Sequence, residues 1–89
     1  MQYIYFVILK KDNKITVVQC KAYKRTKKVS IESVRALWGT KDDHKANAAI
    51  FVTSSDVPVT AFEFIYNKNY KIYILQDLVN LSIEYNFCD

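Results

Sequence analysis

Two polar side chains, Gln19 and Lys21, interrupt an apolar run in the first quarter of the chain. The run Val17–Tyr23 has the composition of a β-strand, in which successive side chains point to opposite faces. Gln19 and Lys21 are two residues apart and therefore share one face. Polar groups among apolar neighbours are costly unless they have partners, so this strand is the first candidate for chemistry, and its ammonium group suits an anionic ligand. The alternative is a strand whose end reaches solvent, where a lysine is expected.

A dense positive cluster follows this strand. Five of the eight residues from Lys21 to Lys28 are basic. Residues 1–45 contain eleven Lys/Arg and four Asp/Glu (+7), whereas residues 46–89 contain two and five (−3), which together give the net charge of +4. An anionic partner such as nucleic acid would dock at this cluster, although such a run is also commonly a solvated loop. The basic residues beyond the strand are Lys24, Arg25, Lys27 and Lys28.

The composition indicates one small packed domain. The chain has 89 residues, of which 51% are apolar and 15% aromatic, so disorder is not expected. One glycine and one proline argue against a small all-β barrel. Cys20 and Cys88 are too few and too far apart for a disulfide framework or a zinc knuckle, which favours a reduced, cytoplasmic protein. The apolar stretch Tyr3–Leu9 is too short to span a membrane and lacks the features of a signal peptide.

The polar strand is the second arm of a predicted hairpin. Gln2–Lys10 is rich in β-branched and aromatic residues without polar alternation, which predicts a strand covered on both faces. Asp12 and Asn13 tolerate positive φ and predict a two-residue loop, after which the second strand runs over Ile15–Tyr23. The register counted outward from this loop pairs Lys11 with Lys14, Phe6 with Gln19 and Ile4 with Lys21.

The rest of the chain predicts alternating helices and strands. Ser30 is a suitable N-cap for a helix extending to about Lys45, with an apolar face at Ile31, Val34, Leu37 and Trp38. Strands are predicted at Ala48–Thr53 and Tyr70–Leu75, a helix with Pro58 in its first turn between them, and a final helix capped by Asp77. The order is β-β-α-β-α-β-α, an antiparallel hairpin followed by a parallel α/β arrangement.

Two further polar groups have competing interpretations. His44, the only histidine, has Asp42 and Asp43 beside it, which makes a metal site conceivable. Consecutive residues of a helix point in different directions, however, so a solvated helix end is the simpler explanation. The hydroxyls and carboxylate of Thr53–Asp56 could hold a phosphate at a helix N-terminus, but capping of the next helix is the commoner use.

Several of these segments together resemble a known family. They are Val17–Lys24 (VVQCKAYK), Val29, Val34–Gly39 (VRALWG), Ala49–Ser54 (AIFVTS), Ala61–Phe64 (AFEF), Ile72–Leu75 (IYIL) and Asp77–Val79 (DLV). This combination resembles the catalytic domain of Mrr-type restriction endonucleases, which belong to the PD-(D/E)xK nuclease superfamily, over about residues 6–81. The resemblance implies a restriction-endonuclease-like mixed sheet flanked by helices, in one domain over residues 1–89 that lacks the helix preceding the hairpin in the family.

The resemblance also implies a mechanism and its residues. In that family an Asp on the strand before the hairpin turn and the acidic or Gln residue of the (D/E/Q)xK strand hold Mg²⁺, while the Lys positions or activates water. The metal neutralises charge that develops on the scissile phosphate. By this match Gln19 and Lys21 are the catalytic positions. The residues expected to contact the DNA backbone are Lys24, Arg25, Lys27 and Lys28.

One position departs from the family pattern. Aligning the hairpins places the metal-binding Asp at Phe6, directly across from Gln19, and no Asp or Glu precedes Asp12. Because Mg²⁺ prefers oxygen ligands that include carboxylates, the resemblance then implies a DNA-binding domain with an impaired Mg²⁺ site. The alternatives are an active endonuclease completed by a carboxylate from a partner chain, or a protein-interaction module on the same fold. The family's helix before the hairpin would cover one face of the first strand, so its absence also predicts a homodimer through that strand.

Overall fold

The structure, a computed structural model, describes residues 3–22 and 28–75, in which two helices pack on one face of a four-stranded sheet. The elements are β1 (Tyr3–Lys11), β2 (Lys14–Ala22), α1 (Ile31–Asp43), β3 (Ala48–Thr53), α2 (Val59–Ile65) and β4 (Tyr70–Ile74). Their order confirms the predicted α/β class. The helix predicted from Asp77 lies outside the described residues.

The hairpin has the predicted loop and register. Asp12 and Asn13 both have positive φ, at 53° and 66°, as in the two-residue loop whose twist matches that of the flanking strands. The strands lie in the order β1-β2-β3-β4, with β1 antiparallel to β2 and the other two pairs parallel. The observed partners include Lys11 with Lys14, Phe6 with Gln19, and Ile4 with Lys21.

The prediction that the first strand is covered on both faces is wrong. β1 is an edge strand, and its side chains from Ile4 to Leu9 are exposed on both faces of the sheet. Both parallel crossovers start from β2 or β3, so α1 and α2 lie over the middle of the sheet and leave most of β1 uncovered, although His44 at the end of α1 contacts Phe6. The apolar run without alternation therefore belongs to an edge strand, and the described residues leave much of both its faces exposed.

The core lies between the helices and the helix-facing side of β2, β3 and β4. On β3 the buried side chains recur every second residue, at Ala49, Phe51 and Thr53, and Ala49 has the buried Val17 and Tyr70 as its partners on β2 and β4. Val34 and Leu37 of α1 and Ala61 of α2 close the same cluster. Phe62 of α2 lies outside this cluster and is 41% exposed.

Helix α1 begins at the predicted cap and ends earlier than predicted. The Ser30 side-chain oxygen accepts a hydrogen bond from the Ser33 backbone N–H at 3.2 Å. The helix passes through Gly39 but ends at Asp43, because Lys45 adopts a left-handed φ of 53°. The backbone N–H groups of the next residues fold back onto helix carbonyls, from Lys45 to Asp42 at 3.0 Å and from Ala46 to Lys41 at 2.8 Å. This pattern is a Schellman motif formed without glycine.

The segment before α2 does not cap that helix with a side chain. Pro58 is the N-cap rather than a first-turn residue, and no side chain accepts a hydrogen bond there. The Thr53 hydroxyl instead accepts from the Ser55 backbone N–H at 3.1 Å, and the Asp56 carbonyl accepts from Val29 N–H at 3.0 Å. These polar groups therefore fix the connection between β3 and the segment that precedes α1.

Candidate functional site

Gln19 and Lys21 share the helix-facing side of β2, as their spacing predicted. Val17, on the same face two residues earlier, is fully buried, whereas Gln19 and Lys21 are half-buried because the cover of α1 ends there. Phe6 of β1 is the partner of Gln19 and Thr53 of β3 is the neighbour of Lys21. The two polar residues thus lie at the boundary between the core and the uncovered edge of the sheet.

A cleft of about 320 Å³ opens between this edge of the sheet and α1. Its walls are the side chains of β1 and β2 on one side and one face of α1 on the other. The lining residues are Phe6, Gln19, Lys21, Ser33, Ala36, Leu37 and Thr40. The cleft therefore combines an ammonium, an amide and hydroxyl groups with apolar walls.

The Lys21 ammonium lies at the N-terminal turn of α1. Its Nζ donates to Ser33 Oγ at 3.3 Å, and Ser33 Oγ lies 3.0 Å from the oxygen of the N-cap, Ser30. The N-terminus of a helix carries a partial positive charge, so the ammonium adds to a potential that already favours anions. The chemistry of this end of the cleft suits a negatively charged oxygen, such as that of a phosphate.

Phe6 lines the cleft from β1, on the same side as Gln19 and Lys21. Its ring is 44% exposed and contacts the His44 imidazole at the end of α1, with ring centroids 5.8 Å apart and a tilt of 46°. The His44 Nδ1 lies 2.9 Å from the Thr40 carbonyl oxygen, which orients the imidazole against the helix end. An aromatic contact between β1 and the end of α1 thus forms part of the cleft wall.

The donor groups of the cleft do not fit a Mg²⁺ ion. Mg²⁺ needs oxygen ligands in octahedral geometry and is usually held through carboxylates, whereas the lining residues include none. Across residues 3–22 and 28–75, no three His, Cys, Asp or Glu side chains are grouped to hold a metal ion. His44, Asp42 and Asp43 accordingly do not form the metal site that their sequence proximity made conceivable.

Of the four basic residues predicted to contact the DNA backbone, the structure describes Lys28. Lys28 is exposed, and Val29 beside it is anchored by the hydrogen bond to Asp56. Lys24, Arg25 and Lys27 lie outside the described residues.

Two cleft residues were missed by the sequence interpretation. Ser33 and Thr40 lie on one face of α1 together with Ala36 and Leu37, at the helical spacing i, i+3, i+4 and i+7. The sequence shows that Ser33 and Thr40 lie at the two ends of this helix face. It does not show which strand the face contacts.

Comparisons with known proteins agree with this fold. The Mrr catalytic-domain family, described as restriction endonuclease, matches residues 5–82. A DNA modification-dependent restriction endonuclease, AspBHI, is structurally similar with a TM-score of 0.55 at 17% sequence identity; the match covers 93% of this chain and 22% of AspBHI. The present chain thus corresponds to under a quarter of that protein. No curated protein matches the sequence.

No helix among the described residues is long and apolar enough to cross a membrane. The two helices instead pack on the sheet that carries the hairpin and the Gln19/Lys21 pair. With the family match extending over most of its length, the chain belongs to the Mrr-type restriction endonuclease catalytic-domain family.

Proposed function

We propose that this domain binds DNA through the cleft and the basic segment beside it, and that its Mg²⁺-dependent phosphodiesterase activity is impaired. The observation that carries the proposal is the composition of the cleft: an ammonium group at a helix N-terminus, without a carboxylate among the lining residues. Such a site can bind a phosphate but is poorly equipped to hold the metal that would activate water for its cleavage.

Lys21 and the basic segment supply the affinity for phosphate. Lys21 is the one lysine among the cleft residues, and Lys28 is exposed near the same end of the sheet. Lys24, Arg25 and Lys27 extend the positive charge along the chain. Gln19 is the neutral member of the Gln-x-Lys pair and offers an amide oxygen and an amide nitrogen as hydrogen-bonding groups. Binding of this kind recognises the DNA backbone more than its sequence.

Phe6 accounts for the loss of metal-dependent chemistry. Its position across from Gln19 is the one at which the family's metal-binding Asp is expected, and its ring packs on His44. Replacing a carboxylate by a phenyl ring removes both the negative charge and the oxygen ligands that a divalent cation requires. Phe6→Asp restores the carboxylate at a position of the edge strand where the side chain is 44% exposed.

The decisive experiment measures both the cleavage of DNA and its retention by the protein. Methylated and unmethylated plasmid DNA are incubated with Mg²⁺ or Mn²⁺ and the wild type, Lys21→Ala and Phe6→Asp, and DNA retention is measured at several salt concentrations. The proposal expects retention without cutting by the wild type. Cutting that disappears in Lys21→Ala contradicts it and favours a carboxylate supplied by a partner chain. Neither cutting nor retention at low salt indicates the protein-interaction module.

The exposed β1 favours self-association as the second property of this domain. Its uncovered faces and open edge suit a homodimer, which would act on DNA in the cytoplasm. A protein-interaction module would self-associate in the same way but would make no phosphate contacts and would retain no DNA. DNA retention that weakens steeply with salt distinguishes the two functions.

A further inference from the structure

Strand β1 is open along its outer edge and on both faces. It has β2 on one side and no neighbour on the other within the described residues. Successive apolar side chains are each 39–51% exposed: Ile4, Tyr5, Phe6, Val7, Ile8 and Leu9. An edge that is long, apolar and unblocked is a template for pairing with another strand.

The register identifies which backbone groups face the open edge. In a two-residue hairpin the residues that flank the loop, Lys11 and Lys14, exchange both backbone hydrogen bonds. Hydrogen-bonded and non-hydrogen-bonded pairs then alternate, so the odd-numbered residues of β1 bond to β2. The even-numbered residues direct their N–H and C=O groups outward: Ile4, Phe6, Ile8 and Lys10.

We propose that a second copy of this chain occupies this edge, with the two β1 strands antiparallel about a two-fold axis at Val7. This register places Tyr3 opposite the partner's Lys11 and uses the whole of β1. It also matches outward-facing residues with one another, Ile4 with the partner's Lys10 and Phe6 with the partner's Ile8. The two sheets join into one, with the helices of both copies on the same face.

The exposed apolar side chains of β1 supply buried area for the pair. Six side chains exposed by 39–51% amount to roughly 500 Å² of apolar surface on each copy, if each has an area of roughly 180 Å². Complete burial of this surface on both copies would give roughly 1,000 Å², the lower end of what a specific interface buries, so the side chains supply part of that area and the backbone hydrogen bonds of the paired edges add to it. The strand exposes apolar side chains on both faces, so pairing covers part of each.

The charge distribution selects the antiparallel orientation. The lysines of β1, Lys10 and Lys11, lie together at its C-terminal end. Parallel pairing would place each beside its own copy, and directly opposed like charges are destabilising. Antiparallel pairing places them beside the uncharged Tyr3 and Ile4 of the other copy and closes the symmetry of the dimer.

The pairing makes the two clefts composite. Ile4 is the partner of Lys21, so the partner's Lys10 enters the same row of the sheet on the same face. Two strand spacings separate it from Lys21, a distance of about 10 Å. Each copy thereby adds a cation beside the cleft of the other. This step rests on the proposed DNA binding, whereas the pairing itself does not.

Disulfide trapping tests the register. In a Cys20→Ala, Cys88→Ser background, Val7→Cys places two thiols at the axis in a non-hydrogen-bonded pair, where Cα atoms are about 4.5 Å apart and a disulfide can form. Leu9→Cys is the matched control, since its two copies are about 14 Å apart in this register. Oxidation should link Val7→Cys into dimers and leave Leu9→Cys monomeric on gels. Equal linkage of the two variants, or none, would overturn the register.

Sedimentation velocity tests the interface in the otherwise native chain. Val7→Lys puts two ammonium groups at the axis and is expected to raise the dimer dissociation constant by about tenfold or more, since opposed like charges are destabilising. Tyr73→Lys is the control, because Tyr73 is 46% exposed compared with 45% for Val7 but lies on the distant β4. Val7→Lys dimers as tight as those of the wild type would refute the interface.

DNA binding separates this inference from the proposed function. Lys10→Ala should lower the salt dependence of DNA binding by about one counterion, whereas Lys11→Ala, whose side chain points to the opposite face, should not. The Lys10 effect should vanish in Val7→Lys. Trapped dimers without a Lys10 effect would refute the composite cleft alone. Trapped dimers that do not retain DNA would refute the proposed function and leave the pairing standing.

Discussion

Lys21 is held by a hydroxyl group and by no carboxylate among the described residues. Its Nζ donates to Ser33 Oγ, which lies beside the Ser30 cap of α1, so the charge of the ammonium is solvated but not neutralised. An ion pair would leave little positive potential for a ligand. The structure instead keeps a half-buried cation next to the positive end of a helix, and this residual potential is what a DNA phosphate would neutralise.

We expect Lys21→Ala to weaken DNA binding uniformly across sequences and to reduce the salt dependence by about one counterion. The reason is the loss of one phosphate contact without loss of a base contact. Fluorescence anisotropy with a labelled duplex at several salt concentrations measures both quantities.

Lys71→Ala is the matched control for Lys21, because it removes an exposed lysine from β4, on the face away from the helices. An equal loss of affinity in both variants would contradict a specific role of the cleft and indicate net charge alone.

Tyr70 is the buried hydrogen-bond donor that joins β4 to α1. Its hydroxyl donates to the Val34 carbonyl at 2.8 Å and its ring stacks on Trp38 at 5.7 Å. Burial raises the pKa of the Tyr70 phenol well above its ordinary value. Because the folded state holds this proton more tightly than the unfolded state, the contribution of Tyr70 to stability is constant at neutral pH and falls above about pH 10.

Tyr70→Phe should therefore lower the free energy of unfolding by about 1 kcal/mol at pH 7 and flatten its decline at alkaline pH. Urea unfolding at pH 7 and at alkaline pH measures both effects. Tyr73→Phe, an exposed tyrosine of the same strand, is the control. An alkaline decline that is unchanged in Tyr70→Phe would contradict the assignment of this pH dependence to Tyr70.

At the scale of elements, the only glycine of α1 lies inside the helix and not at the left-handed position that ends it. Gly39 lies within the helix, and a Cβ built there meets nothing within 4 Å. The left-handed position that ends the helix is occupied by Lys45 instead. Glycine costs helix stability because it loses more conformational freedom on folding than alanine does.

Gly39→Ala should raise the free energy of unfolding by roughly 0.5–1 kcal/mol, since the methyl group fits and the unfolded chain loses freedom. Thermal and urea unfolding measure this gain. Ala36→Gly, an exposed position of the same helix, is the reciprocal variant and should cost a similar amount. A destabilised Gly39→Ala would show that this part of α1 is constrained by more than its own backbone.

The sequence predicted local geometry better than position within the sheet. The Asp12-Asn13 loop determined the hairpin register, and the β1 partners of Gln19 and Lys21 followed from that register. The apolar run of β1 predicted a covered strand, because composition reports the surface that a strand can bury and not the elements available to cover it. Ser33 was missed for a similar reason: its role depends on the placement of α1 over β2.

At the scale of the whole molecule, the part of the chain that the structure describes is a slab. Its principal extents are 32 × 31 × 17 Å, as expected for one sheet covered by a single layer of helices. A bound duplex would meet the helix side of the slab, where the cleft opens, and the pairing proposed for β1 would double the length of that surface. The opposite face leaves Tyr73 and Leu75 exposed among the described residues.

Dimerisation should strengthen with salt in the absence of DNA. The proposed pairing brings the partner's Lys10 to about 10 Å from Lys21, and counterions screen this repulsion. The dissociation constant measured by sedimentation should fall between low and moderate salt. Short duplex DNA should produce the same tightening at low salt. A dimer that salt weakens would argue for an interface held by ion pairs instead.

The alternation of backbone hydrogen bonds along β1 predicts an alternation in the hydrogen-exchange rates of its amides. In a lone molecule, the amide hydrogens of Ile4, Phe6 and Ile8 face water and should exchange with deuterium at nearly unprotected rates, while those of Tyr5 and Val7 are retained through β2. This two-residue rhythm belongs to a strand bonded on one side. As concentration rises, the fast amides should slow toward their neighbours, so the exchange rates along this single strand would report the fraction of molecules that have found a partner.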